Sequence, residues 1–197
     1  MPIRLNIEII EREYKKRRYL YDVLLFVIIT LAAHNLWWYS YKQFSSLVWV
    51  NQIMDSLVDL LFAHSKIFIS FLYPVSIKGT TFLFPENGYI EINQSCSGFK
   101  QYYQIIFLFI LFPGPWKHKI WFIPVSIIII HLVNVFRIIA LSLVLTSWPG
   151  IWDFMHDWIL RPFFYLVIFG LWLFWNEKIR RKENYHNLKQ AEINSGN

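Results

Sequence analysis

Long apolar runs dominate this sequence and restrict what the chain can fold into. They cover residues 20–41, 99–112, 120–148 and 159–175. A helix that crosses the hydrocarbon core of a bilayer needs about 20 apolar residues, so runs of this kind predict membrane-spanning helices. Of the 197 residues, 56% are hydrophobic and 16% are charged, which leaves too little polar surface to cover a water-soluble globule. The sequence therefore predicts a polytopic membrane protein with one domain.

Basic residues cluster beside the apolar runs, at residues 15–18, 117–119 and 178–182. Loops that stay in the cytoplasm are enriched in lysine and arginine next to the spans, and all three clusters share one side if each run crosses once. This pattern predicts a multi-pass protein of the inner (plasma) membrane and argues against nucleic-acid binding, despite a formal net charge of +6. The predicted regions are a cytoplasmic N-terminal segment at 1–19, a membrane-embedded catalytic domain at 20–176 and a cytoplasmic C-terminal tail at 177–197.

Residues 45–75 are less apolar, because Asp55, Asp59, His64 and Lys66 interrupt the hydrophobic pattern. Apolar side chains still recur there near helical spacing, which predicts an amphipathic or re-entrant helix against the outer leaflet. The alternative is a further span whose polar residues face a cavity. A helix that does not cross keeps the three basic clusters on one side, so it is the preferred interpretation.

Short β-rich stretches precede the next apolar run. Residues 75–84 and 89–92 flank the turn-forming sequence Pro85-Glu86-Asn87-Gly88, which predicts a β-hairpin in water or at the membrane interface. The predicted fold class is an all-α polytopic membrane protein. We expect a bundle of about four to six transmembrane or re-entrant helices, with a short extracytoplasmic β-hairpin before the helix that carries the cysteine.

The single cysteine, Cys96, is the first candidate for chemistry, since it cannot form an intramolecular disulfide. It lies in Ser95-Cys96-Ser97-Gly98, where the hairpin meets a helix expected to start near residue 96. The unpaired N–H groups at a helix N-terminus favour the thiolate, which is the nucleophilic form. Gly98 would let a substrate backbone approach closely. The polar neighbours favour a nucleophile over the alternative, a small buried hydrophobic residue.

Arg137 is a charged residue inside an otherwise apolar run, in the sequence Asn134-Val135-Phe136-Arg137. A charge within a span is costly and usually faces a cavity or a partner. Asn134 and Arg137 are three residues apart and so share a helix face. The guanidinium could bind a carboxylate or stabilise an oxyanion. The alternative is an interfacial arginine whose head group reaches towards water.

His156 lies on the same predicted side of the membrane as Cys96 and Arg137. A neutral imidazole can accept a thiol proton and return it to a leaving amine. Asp153 or Asp157 could orient the ring; the alternative is an exposed loop histidine. His131, about two turns before Arg137, is expected deeper in the bilayer. A metal site built from Cys96 and these histidines is disfavoured by their spacing, so we predict no metal and no cofactor.

Cys-Ser-Gly at 96–98, Asn-x-x-Arg at 134–137 and a downstream histidine at 156 form an ordered set. The chain resembles the exosortase/archaeosortase family of membrane transpeptidases over roughly residues 80–175. The resemblance implies that Cys96 is the nucleophile, that Arg137 stabilises the oxyanion or thiolate, and that His156 is the acid/base. Asn134, Ser97, Gly98 and Asp153 would support them.

The resemblance also implies the partners. Family members act on exported proteins that carry a C-terminal sorting signal, made of a short motif, a transmembrane helix and a basic tail. The cleaved protein passes to an acceptor at the cell surface. Two alternatives stay open at this point. Water could be the acceptor, which would make the enzyme a protease, or the chain could be a non-enzymatic transport or assembly subunit in which Arg137 is a structural or substrate-binding charge.

Overall fold

The computed structural model describes residues 2–44, 46–85 and 88–180. Most of this chain is helical, and the helices α1 to α4 cover these ranges: Pro2–Phe44, Val48–Leu72, Phe99–Leu111 and Trp116–Ser147. The last part of the described chain, Pro149–Arg180, is one helical stretch in which α5, Trp152–Phe154, and α6, Arg161–Phe174, alternate with 3₁₀ and π-helical turns. Of the predicted C-terminal tail, residues 181–197 lie outside the described residues.

Within the described residues, the helical stretches long and apolar enough to cross a membrane are Tyr19–Tyr41, Trp116–Ser147 and Pro149–Arg180. The chain is therefore an all-α polytopic membrane protein with a small sheet, as predicted. Helix α2 does not meet these criteria, and whether it crosses stays a prediction. Helix α3 has 13 residues, about 20 Å at 1.5 Å per residue, which is shorter than the roughly 30 Å hydrocarbon core. It does not meet the criteria either, so the crossing predicted for residues 99–112 also stays a prediction.

The predicted loop before the last span is helical in the structure. The sequence analysis placed a loop between Trp148 and Asp157, but 3₁₀, α and π-helical turns follow one another from Pro149 to Leu160. Two contacts at helical spacing stabilise these turns. The ring of Trp152 stacks on that of His156 at 5.0 Å, and Asp157 pairs with Arg161 at 3.2 Å. Tryptophan, proline and glycine suggested a loop, whereas these contacts favour a helix.

The predicted hairpin is present and has a third strand. Strands β2, Thr81–Phe84, and β3, Gly88–Glu91, pair antiparallel around the Pro85–Gly88 turn, of which Glu86 and Asn87 lie outside the described residues. Strand β1, Ser76–Lys78, extends the sheet on the other side of β2. All three of its residues are exposed, so it lacks the alternation that marks a half-buried strand.

The sheet packs on the second half of α4. Phe82, Phe84, Ile90 and Ile92 are buried in one apolar cluster with residues of α2 and with Ile138 and Leu141 of α4. A separate cluster joins α1, α3, α4 and α6 through large side chains that include Phe26, Phe109, Phe122 and Trp172. The segment that contains Cys96 lies between the sheet and α3, and so connects the two clusters.

Helices α3 and α4 form an antiparallel hairpin that fixes the position of Cys96 along α4. At one end the Lys119 ammonium donates to the Ile110 carbonyl at 3.0 Å. At the other end the Asn134 side chain donates to the Cys96 carbonyl. Residues 119 and 134 are about 22 Å apart along α4 at 1.5 Å per residue. The basic cluster at 117–119 and the cysteine therefore lie at opposite ends of this hairpin.

A buried ion pair joins the N-terminal and C-terminal helices. Asp22 of α1 accepts hydrogen bonds from Arg180 and, at 3.2 Å, from the Asn176 amide. All three side chains are buried. The helical stretch reaches Arg180, and the predicted boundary between the membrane domain and the tail at residue 176 stays a prediction.

Candidate active site

Cys96 lies at the end of a 3₁₀ turn, Gln94–Cys96, and not in helix α3 itself. The Asn93 side chain caps this turn, since its Oδ1 accepts from Ser95 N at 3.1 Å and from Ser95 Oγ at 2.6 Å. Gly98 then adopts a φ of +79°, and α3 begins at Phe99. The sequence analysis expected the helix to start near residue 96. The left-handed glycine separates the two elements, because such a φ is incompatible with a continuous right-handed helix.

Asn134 fixes the cysteine turn to α4. Its Nδ2 donates to the Cys96 carbonyl at 2.7 Å, and its side chain is fully buried. A Cβ at position 98 would lie 3.0 Å from the same Nδ2, so glycine is the residue that permits this approach. Ser97 is buried too, and its Oγ accepts from Phe99 N at 3.2 Å at the start of α3. The predicted supporting residues Asn134, Ser97 and Gly98 thus position the segment around Cys96.

Arg137 and His156 are in direct contact. Nη2 of Arg137 donates to Nε2 of His156 at 2.7 Å, from α4 to the π-helical turn Met155–Leu160. The arginine is 9% exposed, and its guanidinium lies 5.9 Å from the centre of the Phe164 ring. A guanidinium can only donate, so Nε2 of His156 must be the acceptor. The proton of the neutral imidazole is therefore on Nδ1.

A carboxylate binds that proton. Nδ1 of His156 donates to Asp157 Oδ1 at 2.6 Å, and Arg161 contacts the same oxygen at 3.2 Å. Of the two predicted candidates, Asp157 is thus the residue that orients the imidazole. Asp153 is exposed, and no bond between it and His156 occurs in the described part of the chain. Asp157 follows the histidine directly, where the wide π-helical turn brings the two side chains together.

Cys96 lies beside the polar chain formed by Arg137, His156 and Asp157. Asn134, which binds the Cys96 carbonyl, is three residues before Arg137 and lies on the same face of α4. The thiol is partly exposed, and Ser95 Oγ is 4.0 Å from Sγ. Cys96 and His156 are both described residues and are not hydrogen-bonded to each other; Nε2 of His156 is bonded to Arg137 and its Nδ1 to Asp157.

Comparison with known families assigns the chain to a family. The family model of the transmembrane exosortases matches residues 27–175, which is most of the chain and includes Cys96, Asn134, Arg137 and His156. The chain belongs to the exosortase family. Searches of the curated proteins and of the solved structures gave no match. Family membership assigns the chain an exosortase-type function at the membrane.

Eleven buried side-chain polar atoms of the described residues have no partner, and two of them belong to this site. These two are Oδ1 of Asn134 and Nε of Arg137. An unpaired buried polar group costs about 1–3 kcal/mol, and such groups are tolerated where a ligand satisfies them. The two atoms differ in what they offer, because the amide oxygen can accept from a peptide N–H and the guanidine N–H can donate to a carbonyl oxygen.

The exosortase site is built from side chains. Within residues 2–44, 46–85 and 88–180, no group of three or more histidine, cysteine, aspartate or glutamate side chains could hold a metal ion. The absence of a metal and of a cofactor remains a prediction. What the described residues offer is a thiol, a buried cation, an imidazole and a carboxylate, which together can perform nucleophilic and acid/base chemistry.

One contact beside Cys96 could not be predicted from the sequence. The Gln94 amide donates to Asp55 Oδ1 of α2 at 2.7 Å, and so connects the cysteine turn to that helix. Asp55 had been read only as an interruption of an apolar pattern. The two residues are far apart in the sequence and belong to no motif, so the sequence carried no signal for their contact.

Proposed function

We propose that the protein is a membrane-embedded cysteine transpeptidase that cleaves the C-terminal sorting signal of exported proteins and transfers them to a cell-surface acceptor. Cys96 is the nucleophile, His156 is the acid/base, and Arg137 stabilises the oxyanion. Asp157 orients the imidazole, and Asn134 fixes the nucleophile. The observation that carries this proposal is the Arg137–His156–Asp157 chain of hydrogen bonds beside the Asn134-anchored cysteine turn.

The first half of the reaction forms a thioester. The Cys96 thiol gives its proton to Nε2 of His156, and the sulfur attacks the carbonyl carbon of the scissile amide. Arg137 moves from Nε2 to the developing oxyanion, which frees the nitrogen to accept the proton. When the tetrahedral intermediate collapses, the C–N bond breaks and His156 returns the proton to the leaving amine. The imidazolium formed in between is stabilised by Asp157, which accepts from Nδ1 throughout.

The second half of the reaction reverses these roles. His156 takes a proton from the acceptor nucleophile, which attacks the thioester carbonyl. The C–S bond breaks, and the proton passes from His156 to sulfur, so the free thiol of Cys96 is restored. The same steps with water as the acceptor would release a free carboxylate. Dividing amide cleavage into two displacements lowers the barrier of each.

The site faces the extracytoplasmic side of the inner membrane in this proposal. The basic clusters at 15–18, 117–119 and 178–182 mark the cytoplasmic side. If Lys119 lies at the inner border of the hydrocarbon core, Arg137 lies about 27 Å further along α4, just inside the outer border of a core about 30 Å thick. An exported protein with a C-terminal membrane anchor would present its cleavage site at this level.

The test compares the C-termini of exported proteins between host cells that carry the wild-type chain and cells that carry Cys96→Ala. Proteins with a C-terminal motif, a transmembrane helix and a basic tail are followed by mass spectrometry of their C-terminal peptides. Wild-type cells should contain truncated forms, joined to an acceptor or ending in a carboxylate. Cys96→Ala cells should contain uncleaved forms.

The level of the variant in the membrane is measured in parallel, so that loss of processing is separated from loss of the protein. Val48→Ala, a substitution of an exposed residue at the start of α2, is the control and should process normally. If Cys96→Ala processed these proteins at the wild-type rate, the cysteine mechanism would be wrong. If every new C-terminus were a free carboxylate, the enzyme would be a protease and not a transpeptidase.

A further inference from the structure

A second hydrogen-bonded chain lies beneath the cysteine turn, outside the catalytic residues. Its members come from three helices: Tyr102 from α3, His131 from α4 and His64 from α2. The Tyr102 hydroxyl is 3.2 Å from Nδ1 of His131, and Nε2 of His131 is 2.9 Å from Nδ1 of His64. The two histidine rings meet edge to face, with centroids 5.1 Å apart. This contact spans 67 positions in the sequence.

The protons of this chain have one favoured arrangement. A phenol is a better donor than acceptor towards an imidazole, so Tyr102 donates to Nδ1 of His131. Nε2 of His131 then carries the proton of the neutral ring and donates to Nδ1 of His64. Tyr102 is buried, His131 is partly buried and His64 is exposed, so the chain leads from the interior to the surface of the protein.

Tyr102 also contacts the cysteine turn. Its backbone N–H donates to the Gly98 carbonyl at 3.0 Å. The ring carbon Cζ of Tyr102 would lie 3.5 Å from a Cβ placed at position 98. His131 is three residues before Asn134 and therefore lies on the same face of α4. Two contacts thus join α4 to the cysteine turn and to the helix that follows it. One is Asn134 to the Cys96 carbonyl, and the other is Tyr102 to His131.

We propose that Tyr102, His131 and His64 form a positioning chain that holds Cys96 at the correct depth and orientation relative to Arg137 and His156. A buried hydroxyl or imidazole is costly in an apolar bundle unless it is paired, so sliding α3 along α4 would break two satisfied bonds. These residues are positioning residues and touch no reacting atom. The proposal rests on the proposed function only for its activity readout.

The test uses substitutions that keep the shape of the side chain. Tyr102→Phe removes the hydroxyl and retains the ring under Gly98. Tyr103→Phe is the matched control, because the next tyrosine packs its ring on Trp37 and Phe107 instead. His64→Gln changes the exposed end of the chain, where misfolding is least expected. The double variant Tyr102→Phe, His131→Leu measures whether the two residues act as one unit.

The first readout is the rate at which a small maleimide alkylates Cys96 in membrane vesicles, and it does not depend on any substrate. We expect Tyr102→Phe and His131→Leu each to raise this rate about tenfold, the effect of losing one hydrogen bond. Tyr103→Phe should leave the rate unchanged. The double variant should react no faster than either single variant, because either substitution alone already breaks the hydrogen-bonded chain.

The second readout is processing of exported proteins, which should fall about tenfold in Tyr102→Phe for the same reason. If Tyr102→Phe and His64→Gln alkylate at the wild-type rate, as Tyr103→Phe should, the positioning chain is refuted. If the variants alter alkylation but the wild type processes no exported protein, the positioning chain stands and the transpeptidase proposal fails. The two ideas therefore fail in distinguishable ways.

Discussion

The guanidinium of Arg137 donates to Nε2 of His156 over 2.7 Å. The other ring nitrogen, Nδ1, donates to Asp157 at 2.6 Å. In the proposed mechanism Nε2 is the nitrogen that accepts a proton from Cys96. Binding of a substrate carbonyl would give Arg137 a second acceptor, and the transfer of the guanidinium would release the base. In the proposed mechanism this transfer would link substrate binding to activation of the thiol.

Arg137→Lys tests whether this cation acts through its geometry. A lysine keeps the charge but lacks the planar set of donors that reaches both Nε2 and an oxyanion. We expect processing of exported proteins to fall about 10²-fold or more, which is the usual cost of losing an oxyanion donor. The measurement is the rate at which a precursor is converted to its truncated form after a pulse of labelling.

The control for this charge-conserving change is Arg17→Lys, at an exposed position near the start of the first span. It should process at the wild-type rate. A wild-type rate in Arg137→Lys would show that charge suffices at that position, and the proposed movement of the guanidinium would have to be abandoned.

The two aspartates near the histidine provide a matched pair. Asp157→Asn replaces the acceptor of the Nδ1 proton with an amide that can present N–H to the ring, so the wrong tautomer becomes favoured. We expect processing to fall about 10²-fold, within the range of general acid/base contributions. Asp153→Asn removes the same charge at an exposed position one turn earlier and should change processing less than about twofold. Equal losses in both variants would contradict the role of Asp157.

Gly98→Ala tests the close approach of the cysteine turn to α4. The alanine Cβ would lie 3.0 Å from Nδ2 of Asn134, at a φ of +79° that costs an L-residue about 1–2 kcal/mol. Gly79→Ala places the same residue at a φ of +58° in the turn between β1 and β2, with no atom within 4 Å of the new Cβ.

Both glycine variants should lose stability, measured as the midpoint of thermal unfolding in detergent. Only Gly98→Ala should also lose processing, by about tenfold or more per folded molecule, because it displaces the Cys96 carbonyl from Asn134. If the two variants processed equally well after correction for folded protein, the Gly98–Asn134 contact would have no catalytic consequence.

Much of this arrangement follows from the sequence for identifiable reasons. Arg137 stands out because a charge in an apolar run needs a partner, and Asn134 shares its helix face by spacing. Cys96 stands out because it is the single thiol and has polar neighbours. The positive-inside pattern then predicts one side of the membrane for Cys96, Arg137 and His156, which is a statement about topology and needs no tertiary contact.

Other features could not be predicted in this way. The choice between Asp153 and Asp157 depends on a π-helical turn, and the sequence has no known signal for such a turn. Strand β1 is exposed on both faces, so it shows no alternation. The contact of His64 with His131 joins distant positions in two helices, and only the packing of α2 on α4 brings them together. Periodicity identifies helices and their faces, but it does not identify which faces meet.

Interception with hydroxylamine is the most direct test of the thioester on Cys96. Hydroxylamine attacks thioesters readily and amides poorly, so cells treated during processing should release exported proteins whose new C-terminus is a hydroxamate. Cys96→Ala cells should release none. Processing that continues in treated wild-type cells without any hydroxamate, or hydroxamate that still forms in Cys96→Ala cells, would contradict the account.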